Sequence, residues 1–283
     1  MEEPRADHRA VEQKVVLVDT HCHLDAAEFD ADRDARVAEA KVGPGRTAVG
    51  AIVVPAVERA NFGAVASVCR DYPGCAPAYG IHPMYVDRAR PEDLAALRET
   101  LRRERAVAVG EIGLDRHVEP RDDARQLRYF TEQLRIAAEF DLPVLLHVRK
   151  AIDPILKCLR DLRVRGGIAH AFNGSREQAQ EFIRLGFKLG FGGAMTYAGS
   201  KRIRALAAEL PLDAIVLETD APDIPPAWRQ GGRNTPADLV PIAETLAKLR
   251  SLPLDALAAA TTANALAVLP RLEELTTTTG ETP

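Results

Sequence analysis

The sequence has few cysteines and few aromatic residues, and it has no long apolar run. Its 283 residues include four cysteines, which are too sparse for the disulfide framework of a small secreted domain. No run approaches the ~18 consecutive apolar residues that a membrane-spanning helix needs. Residues 1–14 open with acids and lack the apolar stretch of a secretory signal, so we expect a cytoplasmic protein.

The chain also lacks an excess of basic residues. Its 37 Lys and Arg stand against 41 Asp and Glu, which excludes a nucleic-acid binder that works by bulk positive charge. The balance leaves open a nuclease that uses bound metal cations and local arginines. With 46% hydrophobic and 28% charged residues, the composition is that of an ordinary globular protein, which excludes wholesale disorder and collagen.

Short apolar runs alternate with longer segments that carry apolar residues at helical spacing. Eight runs are candidate strands: residues 15–19, 51–55, 75–80, 106–110, 143–147, 167–171, 187–192 and 214–220. The runs are continuously apolar, which is typical of a parallel sheet covered on both faces. Eight β/α units predict an α/β fold of the TIM (β/α)8 barrel type. The competing fold, a doubly wound open sheet, usually has fewer strands and often a glycine-rich loop after the first one, whereas residues 19–23 contain no glycine.

The barrel is predicted to form one domain from residue 14 to residue 271. We expect flexible tails at residues 1–13 and 272–283, because chain ends are poorly ordered unless they are tied down. The Pro- and Gly-rich stretch 220–236 is interpreted as a long loop after the last strand, and such loops build the active face of a barrel. No large exposed apolar stripe is apparent, which favours a monomer.

Five of the seven histidines fall at or just after the carboxyl end of a candidate strand. They are His21, His23, His82, His147 and His170. Glu111 follows the fourth strand in the same way, and Glu218 and Asp220 follow the eighth. In a barrel these ends converge on one mouth. A lone buried histidine is more often a core residue than a metal ligand, but random scatter would not place five at strand ends of one polarity.

His21 and His23 are the sharpest pair. A spacing of two in an extended segment directs both imidazoles to the same side, and Cys22 between them is interpreted as a packing residue. Imidazole with carboxylate suits Zn, Mn or Fe, and Mg where carboxylates and water dominate. Glu111 is the residue of the fourth strand that could bridge two ions. Two ions that share a carboxylate and a water are suited to phosphodiester hydrolysis.

Six motifs resemble, in order and spacing, the signature of the TatD family of metal-dependent hydrolases, which are described as deoxyribonucleases. The motifs are HCHLD (21–25), GIHP (80–83), GEIGLD (110–115), LPVLLHVRKA (142–151), AHAFNGS (169–175) and ETDAP (218–222). The resemblance spans residues 15–269 and ends in TTANALAVL (261–269), which is similar to the family's terminal helix motif. Within the family, residues 190–226 resemble most the YjjV-like branch.

The resemblance implies a barrel of the metallo-dependent hydrolase type with two divalent ions per chain, which are Mg, Mn or Zn. By motif position, one ion is held by His21, His23, Glu111 and Asp220, and the other by Glu111, His147 and His170. Glu111 and Asp220 are the implied catalytic residues, and Asp220 orients or deprotonates a metal-activated water. His82 and Arg149 fall where the family contacts the substrate phosphate.

The function expected from this set is ester hydrolysis by a deoxyribonuclease that removes nucleotides from the 3′ end of single-stranded DNA. A small phosphoester is the other expected substrate, and no membrane partner is expected. Nine basic residues on the predicted upper loops are candidates to follow a single-stranded backbone: Arg88, Arg116, Arg149, Lys150, Arg176, Lys201, Arg202, Arg229 and Arg233. The candidates for base stacking are Tyr85, Tyr197 and Trp228.

Three departures from the family pattern bear on substrate choice. Lys150 stands where the family commonly has an acidic residue, and Ala171 where it commonly has Cys. Thr235 stands where the family often has Glu, between Asn234 and Pro236. None of these departures removes an implied metal ligand.

Two other functions stay open. The HxH motif with later His and Asp ligands also describes amidohydrolases, here acting on a small ester, a lactone or an aminoacyl-tRNA. Many of those enzymes bridge their metals with a modified lysine, whereas Glu111 occupies that place in this chain. The second alternative is a non-catalytic metal-binding protein. The presence of the full set of ligands argues against it.

Overall fold

Eight parallel strands follow one another in the order of the chain, and each pairs with the next. The computed structural model describes residues 15–277. The strands are β1 (Val15–Asp19), β2 (Thr47–Pro55), β3 (Cys75–Tyr79), β4 (Ala108–Asp115), β5 (Val144–Arg149), β6 (Gly167–Ala169), β7 (Phe187–Phe191) and β8 (Ile215–Leu217). The amide of Thr20 donates to the carbonyl of Leu217 at 3.0 Å, which joins the ends of β1 and β8. The predicted TIM barrel, nearly closed, is confirmed over the doubly wound sheet.

Helices connect the strands and cover the outside of the barrel. They are α1 (Arg33–Val42), α2 (Phe62–Asp71), α3 (Pro91–Arg103), α4 (Asp123–Glu139), α5 (Ile152–Leu162), α6 (Arg176–Arg184), α7 (Lys201–Glu209), α8 (Leu239–Arg250), α9 (Leu254–Val268) and α10 (Pro270–Thr277). Each of α1 to α7 links two successive strands. In α5, for example, the buried Ile155 and Leu159 lie four residues apart on one face, where they pack into the main core.

The predicted strands are all present, but their ends differ where the functional residues lie. β4 extends through Asp115, so Glu111 lies inside the strand and not after it. The pairing of β4 with β5 shifts between Val109 and Ile112, and the irregular segment carries Glu111. β8 ends earlier than predicted, at Leu217, so Asp220 lies in the following loop.

A separate apolar cluster fills the lower part of the barrel. It contains strand residues such as Val18, Val53 and Leu145, together with Leu269 and Leu272 from the end of the described chain. The small alanines of β2, β3 and β4 belong to the same cluster, which leaves room for these two leucines. The C-terminal segment therefore closes the barrel at the end opposite the loops that carry the histidines.

The predicted domain boundary at residue 271 falls within a helix. Leu272, in α10, is fully buried, so the folded part continues past that residue. The predicted N-terminal tail, residues 1–13, lies outside the described residues. So does the last part of the predicted C-terminal tail, residues 278–283. Among residues 15–277, the helices are all too short or too polar to cross a membrane.

Candidate metal centre

Glu111 lies at the middle of the site and presents each carboxylate oxygen to a different group of histidines. Its Oε2 lies 3.1 Å from Nε2 of His21 and 3.6 Å from Nε2 of His23. Its Oε1 lies 3.0 Å from Nδ1 of His147 and 3.4 Å from Nε2 of His170. Glu111 is only 2% exposed, so these contacts are made away from bulk water. The carboxylate thus has the position of a bridge between two ligand groups.

The first group is completed by Asp220. Its Oδ1 lies 3.6 Å from Nε2 of both His21 and His23, and the two Nε2 atoms lie 3.3 Å apart. The Nδ1 of His23 lies 3.2 Å from the carbonyl of Pro55, which fixes the proton on Nδ1. The Nε2 of His23 then presents a lone pair to the centre, as a metal ligand requires.

The second group consists of His147 and His170, and a carboxylate lies behind each ring. Nε2 of His147 lies 2.9 Å from Oδ2 of Asp115, which leaves Nδ1 to face Glu111. The other oxygen of Asp115 accepts from the amides of His117 and Val118 at 2.7 and 3.1 Å, so the carboxylate is fixed. Asp115 therefore sets both the tautomer and the ring orientation of His147.

Glu218 lies behind His170 at a longer distance. Its Oε1 lies 3.4 Å from Nδ1 of His170 and accepts from the amide of Ala171 at 2.5 Å. The carboxylate fits inside the barrel because Gly190 and Gly192 of the β7 segment have no side chains, and a Cβ at Gly190 would overlap it. Glycines at the end of β7 and directly after it thus make room for a buried acid directly after β8.

Asp19, beneath the group of His21, His23 and Asp220, joins the end of β1 to the loop after β8. Its Oδ1 accepts from the amide of Thr219 at 2.9 Å and from that of His21 at 3.3 Å. Its Oδ2 accepts from the hydroxyl of Thr219 at 2.6 Å. The amide of Asp220 also donates to the carbonyl of His21 at 2.8 Å. The loops that carry the first group are therefore fixed to each other by backbone and side chain.

Burial and neighbouring charges shift the titration of these groups. Burial raises the pKa of Asp220 to about 6 and lowers that of His21 to about 3. Burial alone would lower the pKa of His170, but the charges of Asp220, Glu218 and Glu111 raise it to about 10. Burial likewise opposes ionisation of Glu111, yet the surrounding histidines hold its pKa well below the usual range.

The donor set fits divalent metal ions. Ligand atoms of His21, His23 and Glu111 lie within 4.8 Å of one another, and so do those of His21, His170 and Asp220. Because the proton of His23 is on Nδ1, its Nε2 faces the oxygens of Glu111 and Asp220 as one more acceptor, with no proton between them. A divalent cation of the Zn, Mn or Mg type satisfies such a mixed nitrogen and oxygen set.

His82, the predicted phosphate contact, lies against the same bridge. Its Nε2 is 3.5 Å from Oε1 of Glu111, and its ring centroid is 4.2 Å from that of His147. Its Nδ1 accepts from the amide of Met84 at 3.1 Å, so the proton of the neutral ring is on Nε2. Burial lowers the pKa of His82 to about 4, which keeps the ring neutral. An Nε2–H suits donation to a substrate oxygen better than metal ligation.

Arg149, the other predicted phosphate contact, lies at the end of β5 with its side chain exposed. Among the described residues its guanidinium makes no ion pair, in contrast to most of the other candidate cations. Five of those are engaged, in the pairs Arg88–Glu58, Arg116–Asp123, Arg176–Glu209, Arg229–Asp238 and Arg233–Asp32. That the nine basic residues follow a single-stranded backbone stays a prediction, and for these five it requires that a phosphate replace the paired carboxylate.

All three candidate stacking residues make contacts within the chain. The hydroxyl of Tyr197 donates to the carbonyl of Pro225 at 2.9 Å, and Nε1 of Trp228 donates to Asp238 at 2.8 Å. The guanidinium of Arg88 covers the ring of Tyr85 at 4.6 Å. These contacts tie the aromatic rings to the loops that carry them.

The structure thus brings together seven of the eight residues proposed from the sequence, and Arg149 lies on the rim above them. The sequence reasoning missed the roles of Asp19, Asp115 and Glu218. A usable signal was present, because Asp19 and Asp115 are the last residues of β1 and β4, at the same strand ends that singled out the histidines.

Proteins of similar sequence and structure are described as metal-dependent hydrolases and deoxyribonucleases. The family model described as TatD related DNase matches residues 18–270. The uncharacterized metal-dependent hydrolase YjjV of Escherichia coli K12 is 39% identical over 248 residues, which are 86% of this chain and 94% of that protein. The crystal structure of YjjV, described as a TatD homologue, superposes with a TM-score of 0.86 at 37% identity, covering 90% of this chain and 98% of that one. Human deoxyribonuclease TATDN3 is 31% identical over 92% of this chain and 97% of its own length.

Proposed function

This chain belongs to the TatD family of metal-dependent hydrolases, and we propose that it is a deoxyribonuclease that shortens single-stranded DNA from its 3′ end. The observation that carries the proposal is the position of Glu111 between the His21/His23 pair and the His147/His170 pair. A carboxylate shared by two ligand groups is the arrangement of a two-metal phosphodiesterase. The name of human TATDN3, a deoxyribonuclease, supports the same substrate class.

The ligand groups divide between two ions. His21, His23 and Asp220 would hold the first ion, and His147 and His170 the second, with Glu111 shared between them. Bound divalent ions supply Lewis acidity, which lowers the pKa of water and offsets the charge that develops on the phosphate.

The chain's own residues supply orientation and proton transfer. Asp220 lies 3.6 Å from both His21 and His23, and with a pKa near 6 it can accept a proton from the attacking water at neutral pH. The water oxygen bonds to phosphorus, the bond from phosphorus to the 3′ oxygen breaks, and the proton passes to that leaving oxygen. His82 donates its Nε2–H to a phosphate oxygen, and Arg149 provides a guanidinium at the rim.

The test is a time course on a single-stranded oligonucleotide labelled at its 5′ end, with Mg²⁺ or Mn²⁺. We compare the wild type with Asp220→Asn and with Asp223→Asn, which removes an exposed carboxylate three residues along the same loop. We expect a ladder that shortens from the 3′ end in the wild type and in Asp223→Asn. Asp220→Asn should be slower by about 10²–10⁴-fold, which is the usual contribution of a positioned base.

An intact oligonucleotide with every metal would overturn the nuclease proposal. Equal rates for Asp220→Asn and Asp223→Asn would overturn the assigned role of Asp220. The amidohydrolase alternative has less support, because the bridging position belongs to Glu111 and β4 contains no lysine.

A further inference from the structure

The loops at the carboxyl ends of the strands form a rim around the metal centre, and one side of this rim is acidic. Residues 20–32, between β1 and α1, contain four carboxylates and no lysine or arginine. The carboxylates are Asp25, Glu28, Asp30 and Asp32. Arg33, Arg36 and Arg233 pair with two of them, Asp30 and Asp32. All three arginines next to this loop are therefore engaged, and none of them is free to bind an approaching anion.

The side formed by β5 to β7 carries four exposed cations, which we call the basic rim. Arg149 and Lys150 lie at the end of β5, and Lys201 and Arg202 lie at the start of α7. Within residues 15–277 none of the four lies within ion-pair distance of a carboxylate. Arg202 donates twice to Oδ1 of Asn173, at 3.0 and 2.7 Å, and this neutral partner leaves its charge uncompensated.

The members of the basic rim are held on one surface. β5, β6 and β7 are neighbours in the barrel, and adjacent strands lie about 4.8 Å apart. The contact of Arg202 with Asn173 ties α7 to the loop after β6. On the other side, Nε2 of Gln178 in α6 donates to Asp153 in α5 at 2.8 Å. The cations therefore flank the loop that carries His170.

The chemistry of this surface is suited to phosphate groups and not to bases. Unpaired lysine and arginine side chains bind phosphates without reading sequence. Of the three candidate stacking rings, Tyr85 is covered by Arg88, while Tyr197 and the half-exposed Trp228 are fixed in place by hydrogen bonds at their polar atoms. At most two rings can therefore stack on bases, so affinity for a polyanion comes mainly from charge.

We propose that the basic rim binds the phosphates that adjoin the hydrolysed one, so that a single-stranded polyanionic substrate lies across the ends of β5 to β7 and away from β1. The proposal rests on the proposed phosphodiesterase function and adds the path of the substrate. Lys150 departs from the pattern of the resembled family, which commonly has an acidic residue at its position. A basic residue there extends the positive surface next to Arg149.

The test measures binding of a phosphorothioate-linked oligothymidylate of about ten nucleotides to the metal-loaded protein by fluorescence anisotropy. The variant is Lys150→Ala/Lys201→Ala. The matched control is Arg70→Ala/Arg103→Ala, which removes two exposed cations from the last turns of α2 and α3, at the opposite end of the barrel. We expect the test variant to bind about tenfold more weakly. Its slope of log affinity against log salt should be shallower by roughly 1.4, or 0.7 per lost phosphate contact.

A second comparison uses Lys150→Asp, which should weaken binding more than Lys150→Ala because it adds repulsion. Equal affinities and salt slopes for the test and control variants would overturn the proposal. Activity of the wild type tests the underlying function separately. If the wild type hydrolyses neither an oligonucleotide nor a chromogenic phosphodiester, the protein is not a phosphodiesterase, and this result does not depend on what the basic rim binds.

Discussion

Nε2 of His147 lies 2.9 Å from Oδ2 of Asp115, and this contact turns Nδ1 of the same ring towards Glu111. Asp115 is fully buried and accepts two backbone amides with its other oxygen. It is therefore a positioning residue that acts on the metal centre through His147.

The first prediction concerns that contact. Asp115→Ala frees the ring of His147 and should weaken metal binding by about 10–100-fold. Asp115→Asn keeps an acceptor oxygen and should retain more of the affinity. Competition with a coloured chelator measures the metal affinity of both variants. Wild-type affinity in Asp115→Ala would show that the contact does not position His147.

The second prediction concerns protons. At pH 7 the ring of His170, whose pKa is raised to about 10, carries a proton that a metal ion must displace. Metal binding should therefore release at least one proton per chain at neutral pH, because the pKa of His147 is raised as well. Metal affinity should rise with pH between about 6, where Asp220 loses its proton, and about 10. Calorimetric titrations in buffers of different ionisation enthalpy measure the release, and a pH-independent affinity would contradict this charge arrangement.

The third prediction concerns the space that Gly190 leaves for Glu218. A methyl group at residue 190 would overlap the Glu218 carboxylate, so Gly190→Ala should lower the free energy of unfolding by about 1–3 kcal/mol. Gly199→Ala is the control, because a Cβ there meets no atom within 4 Å. Urea denaturation of the metal-free proteins compares them. Equal stabilities would mean that the Glu218 carboxylate is not confined by β7.

The fourth prediction concerns the closed end of the barrel. Leu272→Ala removes a fully buried side chain and should cost about 2–5 kcal/mol of unfolding free energy. Leu127→Ala removes the same atoms from a side chain that is 42% exposed and should change stability by about 0.5 kcal/mol or less. If the Leu272 variant were as stable as the Leu127 variant, α10 would not belong to the folded domain.

The barrel and the ligand residues could be predicted because both follow from local patterns. Parallel strands have one polarity, so polar residues after their carboxyl ends must meet, and His21, His147 and His170 needed no further information. The position of Glu111 within β4 was harder, since the irregular pairing between Val109 and Ile112 carries no sequence signal.

The partners of the surface cations could not be predicted, because they depend on contacts between distant parts of the chain. Arg233 pairs with Asp32, which lies 201 positions earlier, and nothing in either local sequence indicates the other. Trp228 and Asp238 are closer in sequence, but their hydrogen bond depends on the path of the loop after β8. Strand-end placement and the family resemblance therefore singled out the candidate metal ligands, while only the fold shows which of the surface cations have ion-pair partners.

The bridging role of Glu111 is tested most directly by anomalous diffraction from crystals of the wild-type protein loaded with Mn²⁺. The account predicts two anomalous peaks, one beside each oxygen of Glu111, with His21, His23 and Asp220 around the first and His147 and His170 around the second. A single peak, or peaks that Glu111 does not join, would contradict it.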